Sequence, residues 1–310
     1  MRPKVSVIGA GNVGATTAML VALEALAHVF LFDLVEGMPQ GKALDIAEAC
    51  PLWGSPVKAW GSNRLEDTRE SDIVVITAGL ARKPGMSRDD LLHANAEIVG
   101  AVAKKLPEYS PNAILLIVTN PMDVMAHLSW KLSGLPSERV IGMGGILDSA
   151  RFRTFLAWEA GTHPGQVEAM VLGGHGDQMV PVESLIKVNG KPIKDVLPQE
   201  KIDAIIERTR HGGAEIVSLL KTGSAYYAPA ASTVEMVRAI LKDEKTVLPC
   251  AALLKGEYGS EGVYAGVPVV LGRGGVEDII EVPLHTGERI AFNNSVHAVR
   301  ELLSKLKDIE

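Results

Sequence analysis

His175 is the residue of this sequence best suited by type and setting to move a proton. It lies in the segment Gly173-Gly174-His175-Gly176-Asp177, and its imidazole titrates near neutral pH, so it can act as a base or an acid. The glycines around it predict exposed backbone beside the ring. The alternative is a histidine with a structural or surface role, and the segment taken alone favours that alternative.

Two other segments carry side chains that could orient such a base or bind an anion. Asp148 and Arg151 are three residues apart, so a helical backbone would place them on one face. The plain alternative makes Asp148 a helix N-cap and Arg151 a surface charge. Asn120 precedes Pro121 after an apolar strand, and its amide could bind a substrate oxygen; a turn that merely starts a helix is an equal alternative.

A loop with three cations follows the predicted strand Ile73–Thr77. Arg82, Lys83 and Arg88 lie within residues 79–88, which also contain two glycines and a proline. Such a loop can close over a ligand and bring a cation to it. The alternative is an ordinary solvated surface, which the loop taken alone favours.

A phosphate-binding pattern, G-x-G-x-x-G, occupies residues 9–14 directly after a predicted strand and directly before a predicted helix. Its glycines allow a tight turn and close approach to a pyrophosphate, whose charge the helix N-terminus attracts. Asp33 ends the next strand, where a carboxylate accepts a ribose hydroxyl and repels a 2′-phosphate. No arginine follows Asp33, so the pattern predicts NAD rather than NADP. The alternative is a strand, turn and helix with an exposed aspartate.

The first half of the chain alternates short apolar runs with longer amphipathic segments. Runs such as residues 114–118 are apolar throughout, which is typical of strands covered on both faces. The predicted strands are Lys4–Ile8, Val29–Phe32, Val57–Trp60, Ile73–Thr77, Ile114–Val118 and Val140–Gly142. The predicted helices are Val13–Leu26, Gln40–Ala49, Asp89–Leu106 and Met122–Leu132. This alternation predicts an α/β fold with a doubly wound parallel sheet of the Rossmann type.

The pattern changes after about residue 145 and predicts an α+β second half. A helix is expected to begin near Asp148, followed by a strand at Val167–Leu172 and a hairpin at Ile186–Ile193. The remaining predicted elements are helices at Gln199–Leu220 and Ala231–Lys242, a strand-rich stretch at Val247–Glu281, and a C-terminal helix at Glu288–Lys307.

Length and composition narrow the class of protein. The 310 residues suffice for two domains, and 47% of them are hydrophobic, which is enough for a large core. The net charge of −6 argues against nucleic-acid binding. We expect no membrane span and a cytoplasmic location, in which Cys50 and Cys250 are buried thiols. No cluster of Cys and His residues predicts a metal site.

Taken together and in order, these motifs resemble the lactate/malate dehydrogenase family over almost the whole chain. The resemblance rests on the glycine pattern with Asp33, the loop with Arg82 and Arg88, Thr-Asn-Pro at 119–121, Leu-Asp-x-Ala-Arg at 147–151, Gly-His-Gly-Asp at 174–177 and residues 222–227. Within the family, the chain looks most like the bacterial malate dehydrogenases that are lactate-dehydrogenase-like in sequence. The resemblance implies an NAD-binding Rossmann domain at 1–145 and an α+β substrate domain at 146–310.

The resemblance also implies a role for each matching residue. His175 takes the hydroxyl proton of malate, Asp148 orients its ring, and Arg151 pairs with the C1 carboxylate. Arg88 polarises the C2 oxygen, and Asn120 helps to hold it. The implied contacts of the NAD cofactor are Gly9, Ala10, Gly11, Asn12, Val13, Gly14, Asp33, Asn95, Val118, Thr119 and Asn120.

Arg82 distinguishes malate from lactate, because the lactate-specific branch carries Gln at the matching position. A cation here can pair with the second carboxylate of oxaloacetate, whereas closure over pyruvate would bury it unpaired. Ala225 is consistent with room for the larger substrate. The resemblance thus implies malate oxidation, as in the tricarboxylic acid cycle, by a homo-oligomer, with a tetramer favoured over a dimer. The alternatives are a lactate or other 2-hydroxy-acid dehydrogenase, or an inactive NAD-binding protein that reuses the fold.

Overall fold

Six parallel strands form the first part of the central sheet. The computed structural model describes residues 2–80 and 87–306, without the side chain of Arg88. The strands are β1 (Lys4–Ile8), β2 (His28–Phe32), β3 (Ala59–Ser62), β4 (Ile73–Ile76), β5 (Ile114–Ile117) and β6 (Val140–Gly142). Their order is β3-β2-β1-β4-β5-β6, so the direction of winding reverses between β1 and β4. This confirms the doubly wound parallel sheet.

The helices that cover these strands follow the predicted segments closely. They are α1 (Asn12–Leu23), α2 (Met38–Trp53), α3 (Arg88–Tyr109) and α4 (Met122–Ser133). Every residue of β4 and β5 is buried, as their continuous apolar runs predict. Helix α3 begins one residue before the prediction because Ser87 and Asp90 form a capping box that satisfies two backbone N–H groups.

The second half of the chain extends the same sheet. Its long elements are α5 (Gly144–Glu159), α6 (Gln199–Leu220), α7 (Tyr227–Lys242), β12 (Thr246–Lys255), β13 (Glu261–Gly272), β14 (Gly275–Ile279) and α8 (Thr286–Ser304). Strand β12 pairs antiparallel with β6 through Ala251 and Gly142, and β13 and β14 follow it. The strand-rich stretch predicted at Val247–Glu281 therefore completes a nine-stranded sheet.

Several predicted boundaries were wrong: α7 begins at Tyr227 rather than Ala231, β3 is Ala59–Ser62 rather than Val57–Trp60, and two further differences lie near the candidate site. The helix expected near Asp148 begins at Gly144, so Asp148 lies inside α5 and is not its N-cap. The strand expected at Val167–Leu172 is two short strands, because its ends pair with different partners. The short strands of this region are β7 (Val167–Glu168), β8 (Val171–Leu172), β9 (Val180–Pro181), β10 (Lys187–Val188) and β11 (Lys191–Pro192). Strand β7 pairs with β10, whereas β8 pairs with β9.

The apolar core has two parts that together fix the position of α5. The main cluster fills the space on both faces of the nine-stranded sheet, and a second one packs Phe152 and Leu156 of α5 against Ile202 and Ile205 of α6. Burial of each such side chain contributes about 1.5–3 kcal/mol. Both cysteines are buried free thiols, as predicted. None of the helices in the described ranges is long and apolar enough to cross a membrane.

Candidate active site

His175 and Asp148 form a buried pair at the centre of the candidate site. The ring Nδ1 of His175 lies 2.7 Å from Oδ2 of Asp148, and the side chains are 15% and 2% exposed. Asp148 is presented by the second turn of α5, and His175 by the loop that follows β8. The backbone around His175 is thus less open than its glycines predict. With Nδ1 occupied by the carboxylate, Nε2 is the ring nitrogen left to act on a ligand.

The surroundings of His175 favour its protonated form. Burial of the ring opposes protonation, but the charge of Asp148, its hydrogen bond to the ring and the charge of Asp123 outweigh burial and raise the pKa of His175. The guanidinium of Arg151 acts in the opposite direction. The ring therefore holds a proton more readily than a free imidazole does, and it can release that proton to a neighbouring group in a reaction.

Arg151 shares Asp148 with the histidine. Its Nη1 lies 3.2 Å from Asp148 Oδ1, so the two carboxylate oxygens serve two different partners. The same nitrogen lies 3.4 Å from the carbonyl oxygen of Thr209 on α6. The Arg151 side chain is 11% exposed, which leaves its fork available for a small anion beside His175. The helical spacing of Asp148 and Arg151 therefore does bring both to one face.

The space that Arg151 occupies exists because residue 212 of α6 has no side chain. A Cβ on Gly212 would lie 2.7 Å from Arg151 Nε and would overlap Cδ. The adjacent Gly213 is different, since a Cβ there would lie 4.0 Å from Arg151 Nη2. Gly212 was not among the residues that the sequence singled out. Two neighbouring glycines in a helix give no local signal of which one faces an arginine.

We expect Gly212→Ala to raise KM for a carboxylate substrate by at least about tenfold, because the new methyl displaces Arg151. Cofactor affinity should not change, and kcat should fall less than KM rises. The matched control is Gly213→Ala, which makes the same change of helix propensity on the same helix. Steady-state kinetics of both variants check the prediction, and equal KM values for the two would contradict it.

Asn120 lies in the turn between β5 and α4. Asn120 is exposed, and its carbonyl accepts a hydrogen bond of 2.7 Å from the buried Asn95 amide. Asn95 Oδ1 also accepts from the N–H of Leu80, at 2.7 Å. Thr119 donates its hydroxyl to the Ala78 carbonyl, at 2.8 Å. The predicted cofactor residues Asn95, Thr119 and Asn120 thus tie the ends of β4 and β5 together.

The glycine pattern forms a cradle at the carboxyl end of β1. Gly9 has φ of +101°, and a Cβ there would lie 2.7 Å from Ala78 N, so only glycine fits without strain. A Cβ on Gly14 would overlap the Gly9 carbonyl oxygen. At Gly11, by contrast, a Cβ would have no atom within 4 Å. The N-terminus of α1 therefore faces open space, where its free N–H groups can receive a pyrophosphate.

Asp33 stands at the end of β2 beside this cradle. Its Oδ2 accepts a hydrogen bond of 2.7 Å from Ala10 N, and its Oδ1 one of 3.0 Å from Val35 N. A carboxylate has further lone pairs, so it can also accept a ribose hydroxyl. Lys42, which the sequence did not single out, donates to the Ala10 carbonyl at 2.7 Å. These residues fit a dinucleotide with a free 2′-hydroxyl.

The loop that carries the predicted substrate cations lies mostly outside the described residues. Arg82 lies outside the described residues, and so does the side chain of Arg88, although its backbone begins α3. Among the residues that are described, no group of His, Cys, Asp and Glu side chains could hold a metal ion. The described site consists of a histidine, its carboxylate partners, an arginine and a dinucleotide cradle.

Comparison with known proteins identifies the family of this chain. Residues 3–142 match the model of the lactate/malate dehydrogenase NAD-binding domain, and residues 146–310 match the α/β C-terminal domain of the same family. A malate dehydrogenase of Heliobacterium modesticaldum is 54% identical over 303 residues, which are 98% of each chain.

Solved structures of both branches of the family have the same fold. A malate dehydrogenase from Cryptosporidium parvum superposes with a TM-score of 0.96 and 48% identity, covering 99% of this chain and 100% of the other. A lactate dehydrogenase from the same organism, in complex with lactic acid and nicotinamide adenine dinucleotide, has a TM-score of 0.96 and 44% identity, with 99% of each chain covered. The chain is an NAD-dependent oxidoreductase that belongs to the lactate/malate dehydrogenase family.

Proposed function

We propose that this protein is a malate dehydrogenase, which oxidises (S)-malate to oxaloacetate reversibly with NAD. The observation that carries the proposal is the buried cluster in which Asp148 binds His175 through one oxygen and Arg151 through the other. A base beside an anion-binding arginine is what the oxidation of a 2-hydroxy acid needs. The names of the 54% and 48% identical relatives support malate as the substrate.

In the proposed reaction each residue acts on a defined part of the substrate. Arg151 holds the C1 carboxylate, Asn120 and Arg88 hold the C2 oxygen, and Nε2 of His175 takes the hydroxyl proton. Asp148 accepts a hydrogen bond from the Nδ1–H of His175 and stabilises the imidazolium that forms. In the reverse direction the same nitrogen returns the proton while Arg88 stabilises the charge that develops on the oxygen.

The cofactor-binding residues follow from the cradle. Residues 9–14 would hold the pyrophosphate, Asp33 the ribose hydroxyls, and Asn95 and residues 118–120 the nicotinamide end. The chemistry that NAD supplies when bound is reversible hydride transfer at nicotinamide C4. Asp33 excludes NADP, because its carboxylate would repel a 2′-phosphate.

The direct test is formation of NADH from NAD and (S)-malate, followed by absorbance. We expect turnover with (S)-malate and NAD, and at least about tenfold less with (R)-malate or with NADP. No NADH formation with (S)-malate would refute the proposal.

A second candidate is a dehydrogenase of lactate or of another 2-hydroxy acid. The specific observation in its favour is the lactate dehydrogenase of Cryptosporidium parvum, which superposes as well as the malate enzyme does. The fold alone therefore does not distinguish a malate dehydrogenase from a lactate dehydrogenase. Arg82 favours malate, since a cation needs the second carboxylate of the substrate as its partner.

We expect opposite pH dependences for the two directions of the reaction. Reduction of oxaloacetate uses protonated His175, whose pKa is raised above the ordinary 6.5, so kcat/KM should fall with rising pH and the midpoint of the fall should lie above pH 6.5. Oxidation of malate uses the neutral ring, so it should rise over the same range. Steady-state rates in both directions check this, and parallel pH profiles would contradict the role of His175.

The proposal extends to the organisation of the protein. Residues 1–145 form the NAD-binding domain and residues 146–310 the substrate domain, which the two family matches support. The protein acts in the cytoplasm, in the tricarboxylic acid cycle, as a homotetramer.

Exposed apolar side chains such as Leu52, Trp158 and Leu219 support subunit contacts. Light scattering should give about four times the 33.0 kDa of one chain, and a mass of one or two chains would refute the tetramer.

A further inference from the structure

We propose that Asp123 is a positioning residue for His175, which holds the histidine backbone in place and favours the protonated ring through its own charge. The inference rests on the proposed function in taking His175 as the residue that moves the proton. Asp123 was not among the residues that the sequence singled out.

The contact between Asp123 and His175 is direct and buried. Oδ2 of Asp123, in the first turn of α4, accepts a hydrogen bond of 2.7 Å from the backbone N–H of His175. Asp123 is 4% exposed, and its Oδ1 has no hydrogen-bond partner among the described residues. The preceding N–H, of Gly174, donates to Ser295 Oγ of α8 at 2.7 Å. Two helices thus hold two successive backbone groups of the histidine loop.

A merely structural role does not require a charge at position 123. Ser295 satisfies the N–H of Gly174 with a neutral hydroxyl, and a neutral amide oxygen could satisfy the N–H of His175 equally well. Burying a carboxylate with one of its oxygens unpaired costs free energy. Burial accordingly raises the pKa of Asp123 to about 6, although the His175 hydrogen bond and charge oppose the rise. The hydrogen bond to the His175 N–H alone therefore does not explain why position 123 carries an ionisable carboxylate, since its burial costs free energy.

Among the described side chains, the charges of Asp123, Asp148, Arg151 and His175 sum to zero when the imidazole ring is protonated. The described side chains whose charges are seen to act on this pair include Asp148 and Arg151, both from α5. Ser295 of α8 brings no charge, and the next titratable residue along α4 is His127. With Asp123 and Asp148 ionised, two negative charges face Arg151 and the imidazolium. Removal of the proton from His175 leaves one negative charge in excess, so Asp123 favours the form that donates a proton to oxaloacetate.

The variant that separates the two roles is Asp123→Asn, which keeps an acceptor oxygen for the His175 N–H and removes the charge. We expect the His175 ring to titrate at least about half a pH unit lower, by NMR, because an opposite charge nearby favours ionisation. The fall of oxaloacetate kcat/KM with rising pH should move to lower pH by the same amount. On the alkaline side of the profile, kcat/KM should therefore be about threefold lower than in the unmodified protein. At low pH, kcat should stay within about threefold of the unmodified protein, because the hydrogen bond persists.

The matched control is Ser295→Ala, which removes the neighbouring hydrogen bond without changing a charge. The kcat of this variant can fall, but the pKa of its His175 ring should equal that in the unmodified protein. Asp123→Ser provides a second neutral variant, for which we expect the same downward shift. Unchanged titration of His175 in both neutral variants would overturn the proposal. The NMR titration needs no substrate, so it tests Asp123 even if the enzyme assay fails and the proposed function falls.

Discussion

Replacing His175 by Asn is expected to lower kcat for malate oxidation by about 10²–10⁴-fold, which is what a positioned acid–base group contributes. The amide can still donate to Asp148, so the local packing is kept, but no atom at the position of Nε2 can take a proton. Asp33 and the glycine cradle are untouched, so NADH should bind as tightly as before. Stopped-flow turnover and NADH fluorescence titration measure the two quantities separately.

The control for this variant is His297→Asn, on the exposed face of α8. Its ring pairs with Glu301 at the surface, with 73% of the side chain exposed, so turnover should not change. Turnover of His175→Asn within about threefold of the unmodified protein would remove His175 from its role. Loss of NADH binding together with turnover would point instead to a disturbed fold.

Arg82→Gln is expected to change substrate preference. It should lower kcat/KM for oxaloacetate by at least about tenfold, since a charged hydrogen bond contributes about 1.5–3 kcal/mol and about 1.4 kcal/mol corresponds to a factor of ten. Turnover of pyruvate should rise, because closing the site no longer buries an unpaired cation. Steady-state kinetics with both substrates measure the change.

Arg139→Gln provides the matched control, because it removes an arginine that directly precedes β6, at the amino edge of the sheet, where it donates to the Pro111 carbonyl at 3.4 Å. This variant should leave kcat/KM for oxaloacetate and for pyruvate unchanged. If Arg82→Gln also left both values of kcat/KM unchanged, Arg82 would not be the residue that recognises the second carboxylate.

The strands and helices could be predicted from the sequence because their signals are local. The apolar run at residues 114–118 makes β5, and the predicted helix Gln199–Leu220 matches α6 at both ends. The continuation of the sheet from β6 to β12 could not be predicted in this way. It depends on one register, Gly142 against Ala251, between segments far apart in the chain. Edge pairing of this kind leaves no periodic pattern in either segment.

The same distinction holds for the site. His175, Asp148 and Arg151 could be selected because their types and spacing suit the chemistry, and the structure brings them together. Asp123 and Gly212 could not, because their roles are contacts across the fold. Asp123 meets His175 over 52 residues of sequence, and an acidic residue in the first turn of a helix is otherwise explained by the helix dipole.

The most direct measurement is NADH oxidation by the purified protein with oxaloacetate and, separately, with pyruvate at the same concentration. The proposed roles of His175, Arg151 and Arg82 predict a kcat/KM for oxaloacetate that is at least about 10²-fold higher than that for pyruvate. Equal or faster NADH oxidation with pyruvate would contradict it.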